Sequence, residues 1–190
     1  MGACSLGQLA LGNKTKTVNH RFIRFRMLSL SGYIIENTTF TGSRRTYYQA
    51  RRTVDNQSVV IKTCNDGQAV PGNLGQVLHE YGILKELTID GLVRPLAIEN
   101  DSHSLALVLE AFKGESLKHL FERGKMTFED LFSIFVPLVG VLDELHRQNV
   151  IHKDLQPENI FVDMASGQVF LTDFSFATLL PIEDLRIQPP

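Results

Sequence analysis

Cysteine is scarce in this 190-residue chain, and neither Cys4 nor Cys64 has a partner at metal-ligand spacing. A disulfide framework is not indicated, and a reducing, cytoplasmic setting is expected. No apolar run reaches the roughly 18 residues that a membrane-spanning helix needs. The six histidines are scattered singly, which excludes a zinc-finger pattern. Net charge is also lacking: the formal value is -2, without the basic excess of a general nucleic-acid or membrane-surface binder. What remains is an ordinary globular balance, with hydrophobic residues at 43% and enough length for a buried core.

The beginning is unlike the rest. Met1-Gly2-Ala3-Cys4-Ser5-Leu6 approaches a myristoylation start, but Leu6 stands where that motif needs Ser or Thr. Lys14, Lys16, Arg21, Arg24 and Arg26 follow with no acidic residue among them. A basic targeting peptide fits this pattern. A disordered leader over residues 1–30 is the simpler expectation, with Met27 as a natural alternative start.

Strand and helix signals then alternate. Tyr33-Ile34-Ile35 and Thr46-Tyr47-Tyr48-Gln49-Ala50 predict a hairpin around a loop from Thr38 to Arg45, with Gly42 near its tip. Ser58-Val59-Val60-Ile61-Lys62 is a β-branched run ending in a cation. Asn65-Asp66-Gly67 and Pro71-Gly72 mark a turn. Leu74, Val77, Leu78, Tyr81, Leu84 and Leu87 form a stripe at helical spacing, and Glu80 shares its inward side. An isolated glutamate at such a position is usually solvated; a buried one needs a partner, and Lys62 is the candidate.

Leu92 to Ile98 and Ser104 to Leu109 read as further strands, and Glu110 to Gly114 as a linker. Upstream is mostly strand and downstream mostly helix, so an α+β fold with a boundary at this linker is expected. Leu117 to Phe121 predicts a short helix ended by Gly124. Thr127 and Asp130 have capping-box spacing before an apolar helix that runs to about Arg147. Phe128, Leu131, Phe132, Phe135, Leu138, Val139, Leu142 and Leu145 cover more than one face, which predicts a mostly buried helix. Pro137 should bend it.

The chemistry-bearing stretch is Val150-Ile151-His152-Lys153-Asp154-Leu155-Gln156-Pro157-Glu158-Asn159-Ile160-Phe161. Apolar pairs bracket a polar segment with a proline, so a loop pinned at both ends is expected. Such a loop holds Asp154 and Asn159 in fixed relation, as a proton acceptor and a metal ligand require. A hairpin over Ile160–Thr172 delivers Asp173 at the end of an apolar strand.

The order of these motifs resembles that of the eukaryotic-type protein kinases from about Tyr33 to Leu180. Val59-Val60-Ile61-Lys62 is similar to the Val-Ala-Ile-Lys strand, His152-Lys153-Asp154 to His-Arg-Asp, and Asp173-Phe174-Ser175 to Asp-Phe-Gly. The resemblance implies an N-terminal β-rich lobe with one helix over 31–112 and a helical C-terminal lobe over 113–190. It implies ATP and Mg²⁺ as cofactors and a protein hydroxyl as phosphoryl acceptor. Lys62 would grip phosphates, Glu80 would hold Lys62, Asp154 would act as catalytic base, and Asn159 and Asp173 would bind Mg²⁺. Gly42, Val60, Lys62, Leu109, Glu110, Phe112 and Phe161 would meet the nucleotide, Leu109 as gatekeeper.

Several residues depart from that pattern. Phe40 and Arg45 stand in place of the outer glycines of the phosphate loop, leaving Gly42. Tyr47 and Val60 are larger than the usual Val and Ala over the adenine, Gln156 replaces a lysine, and Ser175 replaces a glycine. Lys153 for arginine keeps the charge but loses the bidentate fork. The chain stops at Pro190 without an Ala-Pro-Glu motif, so a C-terminally incomplete domain is expected, with further domains beyond it. The Lys-Asp variant also resembles the kinase module at the front of large multidomain signalling proteins. A serine/threonine kinase domain is the leading expectation. The alternatives are a non-catalytic pseudokinase and a small-molecule phosphotransferase of related fold.

Overall fold

The computed structural model describes residues 28, 30–42, 44–64, 71–101, 104–124 and 126–181. Cys4, the basic segment and Met27 lie outside them. Five strands form one antiparallel sheet: β1 (Tyr33–Thr41), β2 (Arg45–Arg52), β3 (Ser58–Cys64), β4 (Pro95–Asp101) and β5 (Ser104–Glu110), in the order β1-β2-β3-β5-β4. Alternation along β3 sorts its side chains. Val59 and Ile61 join Leu30, Ala50, Ala106 and Val108 on one face. Val60 joins Tyr47, Leu107, Leu109 and Phe161 on the other, and Lys62 shares that second face by period. Leu30, at the expected edge of the leader, is buried against the sheet.

The expected loop from Thr38 to Arg45 is shorter than its sequence suggests. Asn37, Thr38, Phe40 and Thr41 pair with Gln49, Tyr48, Tyr47 and Thr46, with register shifts after Ile35 and Thr38 absorbing the extra residues. The fourth strand begins at Pro95 rather than Leu92. Proline has no N–H for a ladder and is tolerated at a strand's first residue. Leu92 instead makes a lone parallel bridge to Leu171.

Helix α1 (Pro71–Leu84) starts earlier than the expected Leu74, with proline at its first position. Val77, Glu80 and Leu84 face inward, whereas Leu74 and Leu78 are about half exposed. The expected stripe is therefore split: only its Val77–Leu84 side meets the sheet and the segment after Leu171.

Below the sheet lie β6 (Glu115–Ser116), α2 (Leu117–Glu122), α3 (Phe128–Arg147), β7 (Val150–Ile151), β8 (Ile160–Asp163), β9 (Gln168–Leu171) and β10 (Thr178–Leu179). β6 pairs with β8, β8 with β9, and β7 with β10, all antiparallel. Gly114 enters β6 with φ 135°, and a Cβ there would sit 2.8 Å from the Val162 carbonyl, so only glycine fits. α3 carries the expected capping box: Asp130 N–H donates to Thr127 Oγ1 at 3.1 Å and Thr127 N–H to Asp130 Oδ2 at 2.8 Å.

The expectation that α3 is mostly buried is corrected. Ile134, Leu138, Val141 and Leu145 are buried, but Phe128, Phe132, Val136 and Val139 are each more than 60% exposed. Only one side of the helix meets the β7–β9 layer, and no element among the described residues covers the other. Also among them, no helix is long and apolar enough to cross a membrane.

Candidate active site

Three elements bring charge to one point. β3 supplies Lys62, α1 supplies Glu80, and the turn after β9 supplies Asp173, whose backbone is left-handed at φ 64°. Lys62 Nζ lies 2.8 and 2.6 Å from the two Glu80 oxygens and 2.8 Å from Asp173 Oδ1. The Glu80 side chain is 2% exposed, so the solvated reading of this residue is set aside. Glu80 also accepts the Phe174 N–H at 3.2 Å.

Burial disfavours the Lys62 ammonium, but the Glu80 and Asp173 carboxylates outweigh it and raise its pKa above the ordinary lysine value. Burial likewise opposes ionisation of Asp173. Lys62, the Ser175 hydroxyl and Arg45 together override it and hold the carboxyl below its usual range. Glu80 moves the other way, because burial dominates.

The loop between β7 and β8 holds the second group. Asn159 Nδ2 donates to the Asp154 carbonyl at 2.9 Å and to Asp154 Oδ2 at 3.1 Å, so the Asp–Asn relation expected from spacing is built by direct contact. Gln156 Nε2 donates to Asp154 Oδ1. His152 is buried under the loop, edge-on to Phe174 at 4.6 Å. Its Nδ1 accepts the Asp154 N–H at 3.3 Å, which assigns the proton to Nε2, 3.0 Å from the Thr172 carbonyl.

Burial lowers the pKa of His152. The unfolded chain therefore takes up this proton first, and the stability contributed is present above an unfolded value of about 6.5 and lost as pH falls below it. Urea midpoints are expected to drop between about pH 7.5 and 5.5, and His152→Phe is expected to flatten that slope. An unchanged slope in the variant would show that other groups set it.

Of the positions expected to face a nucleotide, Val60, Leu109, Phe112 and Phe161 converge, but on one another, whereas Glu110 lines a separate groove. Val60, Leu109 and Phe161 are each 2% exposed or less. The Phe161 ring lies 5.7 Å from Phe40, 5.3 Å from Tyr47 and 5.2 Å from Phe112. The surfaces expected to meet adenine thus carry the chain's own aromatic rings. Glu110 is half-buried, with its N–H on the Arg94 carbonyl at 2.9 Å. Gly42 approaches the lower part closely: a Cβ there would lie 2.9 Å from Glu158 Oε2. The cleft between Phe40, Tyr47, Asn159 and Asp173 encloses about 10 Å³, near the lower limit for one water. A groove of about 910 Å³ lies elsewhere, between the segment after α1, α3 and the β8–β9 turn. It contains none of Lys62, Glu80, Asp154, Asn159 and Asp173, whereas Asn159 and Asp173 line the smaller cleft, to which we assign the chemistry.

Two arginines make contacts that the sequence alone does not specify. Arg44 Nη2 donates to Asp154 Oδ2 at 2.9 Å, and its guanidinium lies over the Phe176 ring. Arg45 is 6% exposed and points inward, tied to Gln76 of α1 and to Ser175. The Arg44-Arg45 pair at the loop tip was the available signal, but adjacent arginines more often mark a solvated surface.

A five-stranded sheet with one helix, set over a helical base, is the kinase-like α+β fold. The chain matches the family described as protein kinase domain over residues 37–185. It is 28% identical to a probable serine/threonine-protein kinase MARK-A of Dictyostelium discoideum over 66% of this chain and 12% of that protein. It is 28% identical to serine/threonine-protein kinase SIK2 of Gallus gallus over 80% of this chain and 19% of that protein. It is 27% identical to CBL-interacting protein kinase 12 of Oryza sativa subsp. japonica over 78% of this chain and 27% of that protein. This chain belongs to the protein kinase family. It spans well under half the length of these relatives.

Proposed function

We propose that this chain forms the nucleotide site of an ATP- and Mg²⁺-dependent protein serine/threonine kinase acting in cytoplasmic signal transduction. The buried contact of Lys62 with both Glu80 and Asp173 is the observation that carries this reading. Burying three ionised groups is costly, and a phosphate-gripping lysine with its positioning carboxylate accounts for them. Residues 31–112 would act as the nucleotide-binding lobe and 113–190 as part of the substrate lobe. The protein substrate and domains beyond the chain belong to the same proposal. Membership of the protein kinase family argues against the small-molecule phosphotransferase alternative.

Asn159 and Asp173 offer an amide and a carboxylate oxygen, a donor set that suits Mg²⁺. When bound, the metal would supply charge neutralisation at the β- and γ-phosphates. Lys62 orients the α- and β-phosphates, and Glu80 keeps it aimed into the cleft. Asp154, released from Arg44, accepts the proton of the attacking hydroxyl, while Asn159 fixes its carboxylate plane.

The pseudokinase reading is favoured by one observation, the aromatic filling of the adenine surfaces by Phe40, Tyr47 and Phe112. Calorimetric titration of the folded chain with Mg·ATP separates the two. One-site saturation, lost in Asp173→Ala, is expected; no heat at any concentration would move the assignment to a non-catalytic module.

A further inference from the structure

Arg45 stands where the phosphate loop has a glycine in the resembling family, and it lines the small cleft with its guanidinium engaged by the chain's own acceptors. Its Nη1 donates to the Arg44 carbonyl at 3.2 Å, and its Nη2 donates to Gln76 Oε1 at 2.8 Å and Ser175 Oγ at 3.2 Å. Its Nε lies 3.8 Å from Asp173 Oδ2. Ser175 Oγ in turn donates to Asp173 Oδ1. The guanidinium is thus spread over acceptors of the residue before β2, of α1 and of the turn after β9; Arg45 and Ser175 are each 6% exposed and Asp173 3%, whereas Gln76 is part-buried. A guanidinium fork so engaged is a counter-ion rather than a free phosphate hook. With Lys62 on Oδ1 and Arg45 beside Oδ2, the single negative charge of Asp173 already faces two cations.

We propose that Arg45 is a built-in competitor of the divalent cation at Asp173, so that the metal requirement of nucleotide binding is set by release of this arginine. The proposal rests on the nucleotide-site reading above. A dication approaching Asp173 meets the like charge of Arg45 a few ångströms away and must wait until that guanidinium leaves Oδ2. The same departure loosens Gln76 and Ser175, so metal loading is linked to the contact of β2 with α1. Phosphate loops with glycine at this position have no side chain to play such a part.

The test is the Mg²⁺ concentration that gives half-maximal binding of a fluorescent ATP analogue, at fixed analogue, in the wild type, Arg45→Met and Arg45→Lys. Arg45→Met is expected to lower that concentration roughly tenfold, within the ordinary range by which one bound group changes the affinity for another, while Arg45→Lys stays near the wild type. Arg45→Gln, which keeps an amide for Ser175, replaces Arg45→Met if the latter melts below the assay temperature. An unchanged Mg²⁺ requirement overturns the proposal. So does weaker analogue binding at every Mg²⁺ concentration, which would make Arg45 a phosphate ligand. Absence of binding in all variants at all Mg²⁺ concentrations instead removes the nucleotide-site reading itself, and this inference with it.

Discussion

Replacing Lys62 with methionine is expected to destabilise the fold by about 3–5 kcal/mol, the scale for breaking one side of a buried ion pair. The Lys62 and Glu80 side chains are 4% and 2% exposed, so water cannot take the place of the lost ammonium. Glu80 would retain only the Phe174 N–H, and Asp173 would lose its 2.8 Å partner. Glu80→Gln in the same chain removes the stranded charge and is expected to recover part of the loss. Urea unfolding of the two single variants and the double variant measures this coupling. Strictly additive losses would mean that the contact at 2.6 Å contributes nothing. The same substitution is expected to weaken Mg·ATP binding, because it removes the cation aimed at the phosphates.

Opening the aromatic cluster is expected to act in the opposite sense on binding. Phe40→Ala removes one ring from Phe161 and Tyr47, at centroid distances of 5.7 and 6.2 Å. Each such pair contributes about 0.5–1.5 kcal/mol beyond burial. If nucleotide entry requires those contacts to break, removing them in advance raises Mg·ATP affinity by roughly tenfold, or about 1.4 kcal/mol. Tyr47→Val extends the effect at greater cost to the unliganded fold, since Tyr47 is 2% exposed and its hydroxyl donates to Thr172 Oγ1 at 3.3 Å. Calorimetry and thermal melting together check the expectation: lower stability with higher affinity. Lower affinity in Phe40→Ala would instead make Phe40 a lid on bound nucleotide.

The placement of several candidate-site residues was legible because their signals are local, while the roles given to them came from the resemblance to the protein kinases. Lys62 ends a β-branched run, Glu80 falls on the inward side of a helical stripe, and Asp154 and Asn159 share one pinned loop. Each position follows from a period of 2 or 3.6 or from a short spacing. The α+β order of strands and helices was readable for the same reason. Arg44 on Asp154 was not, since the two are 110 positions apart and an exposed arginine carries no signal of its partner. The aromatic cluster was hidden likewise: Phe40 and Tyr47 are partners in one hairpin, but Phe112 of the linker and Phe161 of β8 reach it only through tertiary packing. The burial of α3 was overestimated because apolar residues on a helix report what can be covered, not what covers it.

If Lys62 stands at the phosphates of a bound nucleotide, it is open to labelling by a nucleotide that carries a reactive group there. An acyl phosphate of ATP transfers its acyl group to a lysine held beside the phosphates, and peptide mass spectrometry locates the modified residue. Acylation of Lys62, suppressed by excess Mg·ATP and diminished by Asp173→Ala, is the predicted result. Acylation confined to exposed lysines such as Lys85, and indifferent to added ATP, would contradict the account.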